Sequence, residues 1–239
     1  MCDEGDGMIR HLHLALLAAA VAASPAGAAD RTYSVTNFDQ VRVQGPYKVR
    51  LLTGVAPFAR ASGSVQALDG ISIIVSSQAL TVRRNPGSSS GYPGQPTGPV
   101  EIEIGGHDLR SASILGAGSL DINAVKGLSF SLTVEGAGAA RVSNIDVDQL
   151  KLWLAGTGSA QLSGSAKSAT FLVRGTSSLD AAGLAVKDAV IGGEGPAMIR
   201  ANVSNSAKVT AQGVSQVTLD GAPACTVKAS GSAIVDGCK

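Results

Sequence analysis

The chain has 239 residues, 44% of them hydrophobic but only 3% aromatic and 15% charged, with 30 glycines, 9 prolines and a formal charge of +1. That length suits one ordinary domain or two small ones, and the modest proline content excludes a collagen-like or proline-rich chain. A near-neutral chain lacks the basic footprint that nucleic-acid binding requires, and an aliphatic, glycine-rich core favours repetitive β architecture over a helical enzyme.

The N-terminus reads as an address. Arg10, with His11 and His13, supplies a short basic start, and Leu12 to Ala23 is an apolar stretch interrupted only by His13. It falls short of the roughly 20 apolar residues that a spanning helix needs. Ser24-Pro25 breaks it, and Ala26-Gly27-Ala28-Ala29 offers small residues for cleavage, so residues 1–29 are expected to be a secretory signal peptide. The acidic Met1–Gly7 fits such a signal poorly, which points to Met8 as an alternative start. No lipid-attachment cysteine follows the apolar run. One basic and three acidic residues leave with the leader, and the remaining 210 carry 18 basic and 15 acidic residues. The single domain expected over 30–239 is not membrane-spanning.

Residues 30–99 form an N-terminal β region. Val41–Val43, Tyr47–Leu51, Ile71–Val75 and Leu80–Val82 are short alternating or apolar runs between Gly, Pro and Asp turns. Asn85–Pro99 is a Gly/Pro/Ser-rich loop that includes Tyr92. Val100–Ile104 then alternates cleanly, and no stretch after the leader shows a helical period.

From residue 100 the chain repeats. Gly116, Gly136, Gly156, Gly175, Gly195, Gly213 and Gly231 recur every 18 to 20 residues. Four residues after each stand Leu120, Ala140, Ala160, Leu179, Ile199, Val217 and Val235, with polar residues such as Asp121, Arg141 and Arg200 one place further on. Before each glycine the alternation also holds, as in Leu132 and Val134 or Leu152 and Leu154. A period of two on both sides of a glycine means two strands joined by a sharp corner, and glycine suits a bend with positive φ. The polar remainder of each repeat is a loop or a short third side. Units of this length with apolar residues in fixed columns are coils of a β-solenoid, stacked in parallel about 4.8 Å apart. Equivalent residues then form ladders, which places Asp121 beside Arg141, Asp180 beside Arg200, and Arg174 beside Glu194.

Two cysteines remain after the leader, Cys225 and Cys238, both near the C-terminus. In an exported protein they can pair, although spacing alone does not show that they do.

The run FDQVRVQGPYKVRLLTG, then ALDGISIIVSSQALTVRR, PVEIEIGGHDLRSASILGAGSLDI and the Gly-small-Gly repeats together resemble the bacterial putative auto-transporter adhesin head, or GIN domain, family over about residues 35–239. The resemblance implies an all-β, right-handed parallel β-helix, exported to the bacterial envelope, with no catalytic residue to carry over. The right hand also follows from the general preference of crossover connections.

Other chemistry finds little material. The G-x-G runs at 116–118, 136–138 and 156–158 lack the helix and third glycine of a phosphate loop. Asp121 and Asp180 follow glycine at the wrong spacing for calcium repeats. After the leader, one histidine, His107, and two late cysteines cannot close a zinc site. No cofactor is expected. An enzyme acting on polysaccharides would draw on Asp121, Glu135, Asp180 and Glu194 with Arg141, Arg174 and Arg200, but these spread over several coils. Trp153, the one tryptophan, counts to the outward face between Thr133 and Leu172, and with Leu172 and Arg174 forms a possible surface binding site. The alternative is cover by the N-terminal strands. The reading is therefore an exported, non-catalytic binding or scaffolding protein, periplasmic or cell-surface, whose partner is an envelope protein or a glycan. A polysaccharide-processing enzyme and a self-assembling structural protein are the rivals, and oligomerisation is open.

Overall fold

The computed structural model describes residues 29–87 and 99–239. The predicted leader up to residue 28, Met8 and Tyr92 lie outside the described residues. In chain order the elements are β1 (Ala29–Tyr33), β2 (Gln40–Gln44), β3 (Lys48–Thr53), β4 (Phe58–Gly63), α1 (Val65–Asp69), β5 (Ile71–Ser76), β6 (Ala79–Arg84) and β7 (Glu101–Gly106). They continue as β8 (Ser111–Gly116), β9 (Ser119–Ile122), β10 (Val125–Gly136), β11 (Ala139–Gly156), β12 (Ser159–Gly175), β13 (Ser178–Glu194) and β14 (Met198–Gly213). β15 (Gln216–Asp220), β16 (Ala224–Gly231) and β17 (Ile234–Asp236) complete the chain.

The fold is a parallel β-solenoid of about six turns. Each coil has a first face before the corner glycine, a second face after it, and a third side that is also strand. Inward positions stack in register. Leu132, Leu152, Phe171, Ile191 and Val209 form one ladder of the first face, all buried. Leu120, Ala140, Ala160, Leu179, Ile199 and Val217 form the matching ladder of the second face. Val147, Ala166, Val186 and Val203 line the third side. Apolar side chains, nearly all aliphatic, repeat at the strand spacing and fill this narrow core, because each one meets its counterpart in the next coil.

The seven predicted corner glycines all have positive φ, from 76° at Gly231 to 108° at Gly116 and 110° at Gly156. Coil lengths vary between 18 and 20 residues, and the register shifts by a residue or more between Val142 and Ile145 and between Gln161 and Ser163. The surplus is absorbed at the second bend, where Asn144 takes φ 49° and its side-chain amide donates to the Asn123 carbonyl. Bulges placed there leave the first-face ladders undisturbed.

The N-terminal region belongs to the same stack. β2 and β3 flank Gly45, whose φ is 112°, and make a coil of their own at 40–53. β2 pairs in parallel with β8 on one side and β6 on the other, and β3 likewise with β9 and β7. The regular coils thus extend before residue 100, and spatial order departs from chain order at this end. β5, β4 and β1 then add antiparallel strands to β6, β7 and β4. α1 lies at this end with Ala67 and Leu68 buried, and Ser64 caps it by accepting from the Ala67 amide. Neither α1 nor β4 was visible in the sequence. A five-residue helix is too short to show a period, and the buried positions of β4 are the small Ala59 and Ala61.

Candidate functional site

The predicted patch on the first face is assembled by three consecutive coils. Trp153 of β11 stands opposite Thr133 and Leu172. It faces outward and is half-buried. The Arg174 guanidinium lies 4.8 Å from its ring centroid. The same guanidinium reaches Glu194 through Nε at 2.9 Å and Nη2 at 3.0 Å. This two-point pair orients Arg174 over the indole, a cation–π arrangement. Leu172 is 38% exposed and overhangs Gly192, where a Cβ would approach its Cδ2 to 2.7 Å. Val190 extends the apolar strip at 46% exposure. Among the described residues the N-terminal strands do not adjoin this patch, since β8 and β10 separate β2 from β11.

The remaining sequence-selected residues are scattered. Glu135 and Arg174 share the column beside the corner glycines, with Ala155 between them. On the second face Arg141 sits between Asp121 and Gln161, and Asp180 between Gln161 and Arg200. The direct partner of Arg200 is Asp220, with Nε 3.0 Å from Oδ2, rather than Asp180. The hydrogen bond to Asp220 raises the Arg200 pKa first, with Asp180 adding a smaller charge effect. His107 is an exposed turn residue whose carbonyl accepts from the Gly54 amide. Cys225 and Cys238 are joined, with their Cα atoms 5.6 Å apart.

Sequence reasoning missed a cleft of about 770 Å³ on the second face at the capped end. Two outward columns line it, running across β1, β4, β7, β3 and β9. One reads Asp30, Ser62, Glu101, Lys48 and Ser119, the other Thr32, Arg60, Glu103, Arg50 and Asp121. Along the second column the sign alternates from Arg60 to Asp121. The only early signal was the alternation in Lys48–Leu51 and Glu101–Ile104, which put these charges outward. Their neighbourhood depends on β4 and β7 folding back beside β3, and no local pattern encodes that. A second cleft, of about 890 Å³, lies by His107 and Lys126. At its edge Arg110 Nε reaches Asp39 Oδ2 at 3.3 Å. Among the described residues no group of three or more His, Cys, Asp or Glu could hold a metal ion, and no helix is long and apolar enough to cross a membrane.

Several solved structures share this architecture. A putative adhesin from Bacteroides fragilis superposes with a TM-score of 0.78 at 16% identity, covering 87% of this chain and 96% of that one. A putative lipid binding protein from Parabacteroides distasonis gives 0.70, also at 16% identity, over 87% and 95%. A putative adhesin from Parabacteroides merdae gives 0.63 at 16% identity over the same shares. At such identities the likeness shows the fold alone. The comparison with curated proteins yields no match. The model of one family, described as putative auto-transporter adhesin, head GIN domain, matches residues 37–223, which is most of the chain and includes both faces described above. The chain belongs to that family.

Proposed function

We propose that this is an exported, non-catalytic protein of the bacterial cell envelope that binds a partner protein through the first-face patch around Trp153. The observation that carries the reading is the outward apolar strip of Trp153, Leu172 and Val190, half-buried at Trp153 and exposed at Leu172 and Val190, beside the Arg174–Glu194 pair. Tryptophan and arginine dominate the energetics of protein interfaces. Arg174 already occupies one face of the indole, which favours a protein contact over the stacking of a sugar ring. The family supports an adhesin-like, surface-exposed role, and the leader-like N-terminus supports export.

The rival readings have weaker support. A glycosidase needs a carboxyl withdrawn from water as its general acid, whereas Asp121, Glu135, Asp180 and Glu194 are all exposed. Open-ended stacking is opposed by the α1 plug and the antiparallel strands at one end of the solenoid.

The test is binding of the purified protein to isolated envelope fractions, treated or untreated with protease. Trp153→Ala is expected to weaken the interaction by about tenfold or more, with the melting temperature unchanged. Protease treatment of the envelopes should abolish it. Full binding by the variant, or binding that survives protease, refutes the protein-contact reading.

A further inference from the structure

We propose that the cleft at the capped end of the second face is a second binding site, for an oligosaccharide without net charge. Across the strands its lining alternates donors and acceptors, with Arg60, Glu103, Arg50 and Asp121 in one column. Arg50 lies directly between Glu103 and Asp121 in register, and Lys48 directly between Glu101 and Ser119. Neighbouring strands lie about 4.8 Å apart, so Lys48 and Arg50 each project between acceptor-bearing residues on the strands to either side. Among the described residues no ion pair joins any two of Lys48, Arg50, Arg60, Glu101, Glu103 and Asp121, so these side chains are not consumed by one another. A sugar hydroxyl donates one hydrogen bond and accepts others, and needs both kinds of partner side by side. Planar guanidinium and carboxylate groups on adjacent rungs supply that pairing.

Other ligand classes fit less well. The cleft carries three cations and four carboxylates, so a polymer of one sign meets repulsion from much of the lining. The apolar residues along it, Val49, Ala61 and Ile102, are buried in the core and offer no bed for a lipid tail. A peptide held on a sheet uses an open strand edge and apolar pockets for alternate side chains; here the surface is the polar face of five paired strands. No three of the carboxylates converge to hold a metal ion. Serine and threonine hydroxyls at Thr32, Ser62 and Ser119 complete a lining that suits a polyhydroxylated chain.

This site is independent of the Trp153 patch, which lies on the other face. The experiment is a titration, by calorimetry, with chitotetraose, cellotetraose, maltotetraose and mannotetraose, alongside a heparin-derived tetrasaccharide and a polylysine peptide. At least one neutral tetrasaccharide is expected to bind, with an affinity that changes little with salt because no counterions are released. Arg50→Ala and the isosteric Glu103→Gln should each weaken binding by about tenfold or more, while Trp153→Ala leaves it intact. Circular dichroism melts of the variants serve as the folding control, and Glu103→Gln carries the test if Arg50→Ala unfolds. The proposal falls if none of the four neutral sugars binds at millimolar concentration. It also falls if the heparin fragment or polylysine binds more tightly with steep salt dependence, or if both variants bind like the parent.

Discussion

At Gly156 the backbone turns with φ +110°, and a Cβ there would come within 2.5 Å of the Gly136 carbonyl oxygen in the coil below. Both the conformation and the close approach exclude a side chain. Gly156→Ala should therefore destabilise the protein by at least the roughly 1–3 kcal/mol of such backbone strain, read as a shift of the urea midpoint. Two residues past the corners, buried serines make a second residue-scale contrast. Ser177 Oγ lies 3.0 Å from the carbonyls of Gly156 and Arg174. Ser215 is equally buried, but its Oγ has no partner among the described residues. Removing a satisfied hydroxyl costs about 0.5–1.5 kcal/mol, whereas removing an unsatisfied one costs little or stabilises. Ser177→Ala should lower the urea midpoint and Ser215→Ala should hold or raise it. The glycine column was legible from spacing. The difference between Ser177 and Ser215 was not, because it depends on which carbonyls the adjacent coil presents.

The strand ladder is the element-scale unit, and its charged rungs were partly legible. The Arg174–Glu194 pair follows directly from the repeat count, since equal positions in successive coils become neighbours. The Arg200–Asp220 bond does not, because it reaches diagonally toward the second bend, where the coil shortens. Asp188 shows how a ladder can respond to pH. Its Oδ1 accepts from Ser206 Oγ at 2.5 Å and from the Asn205 side-chain amide at 2.7 Å, both in the next coil. These bonds, Ser206 first, hold its pKa below the ordinary aspartate value. A carboxylate with a depressed folded pKa stabilises the protein above its unfolded pKa, near 3.9, and that contribution is lost as pH falls through the folded value. Asp188→Asn should accordingly flatten the acid limb of the melting temperature below about pH 4 and leave its slope at neutral pH unchanged. An identical acid limb in both proteins would show that the bonds to Ser206 and Asn205 do not persist in solution.

At the scale of the whole molecule the two ends differ. One is closed by α1 and by antiparallel β5, β4 and β1. At the other, β16 and β17 each pair with a single strand, and the inward Val227 is 43% exposed. The Cys225–Cys238 bond ties this last coil, closing a loop with a sequence separation of 13. The Lys239 amide also donates to the Pro223 carbonyl, at 3.1 Å. Closing a loop near this size contributes about 3 kcal/mol in the chain-entropy account. Reduction should therefore raise hydrogen exchange across β16 and β17 while leaving β10–β14 protected, as expected for a stack in which each coil contacts only its neighbours. Uniform loss of protection would mean that the last coil supports the entire solenoid. Non-reducing mass spectrometry provides the prior check that the bond forms.

The sequence by itself determined the coil. A period of two places aliphatic residues inward, a recurrence of 18 to 20 residues makes equal positions neighbours, and glycine marks the bend. From these follow the parallel ladders, the outward position of Trp153 and its contact with Leu172 in the next coil, all of which are local patterns repeated. Only the tertiary structure decided what happens where the repeat stops. The coil of β2 and β3 sits between β6–β7 and β8–β9, out of chain order, and β4 and β1 turn back beside β7. Pairing between strands distant in sequence rests on the shape of the whole stack, and neither alternation nor spacing encodes it. That pairing brings Arg60, Glu103, Arg50 and Asp121 into one column and makes the cleft, so the feature with the richest chemistry in this molecule arises where the repeat is broken.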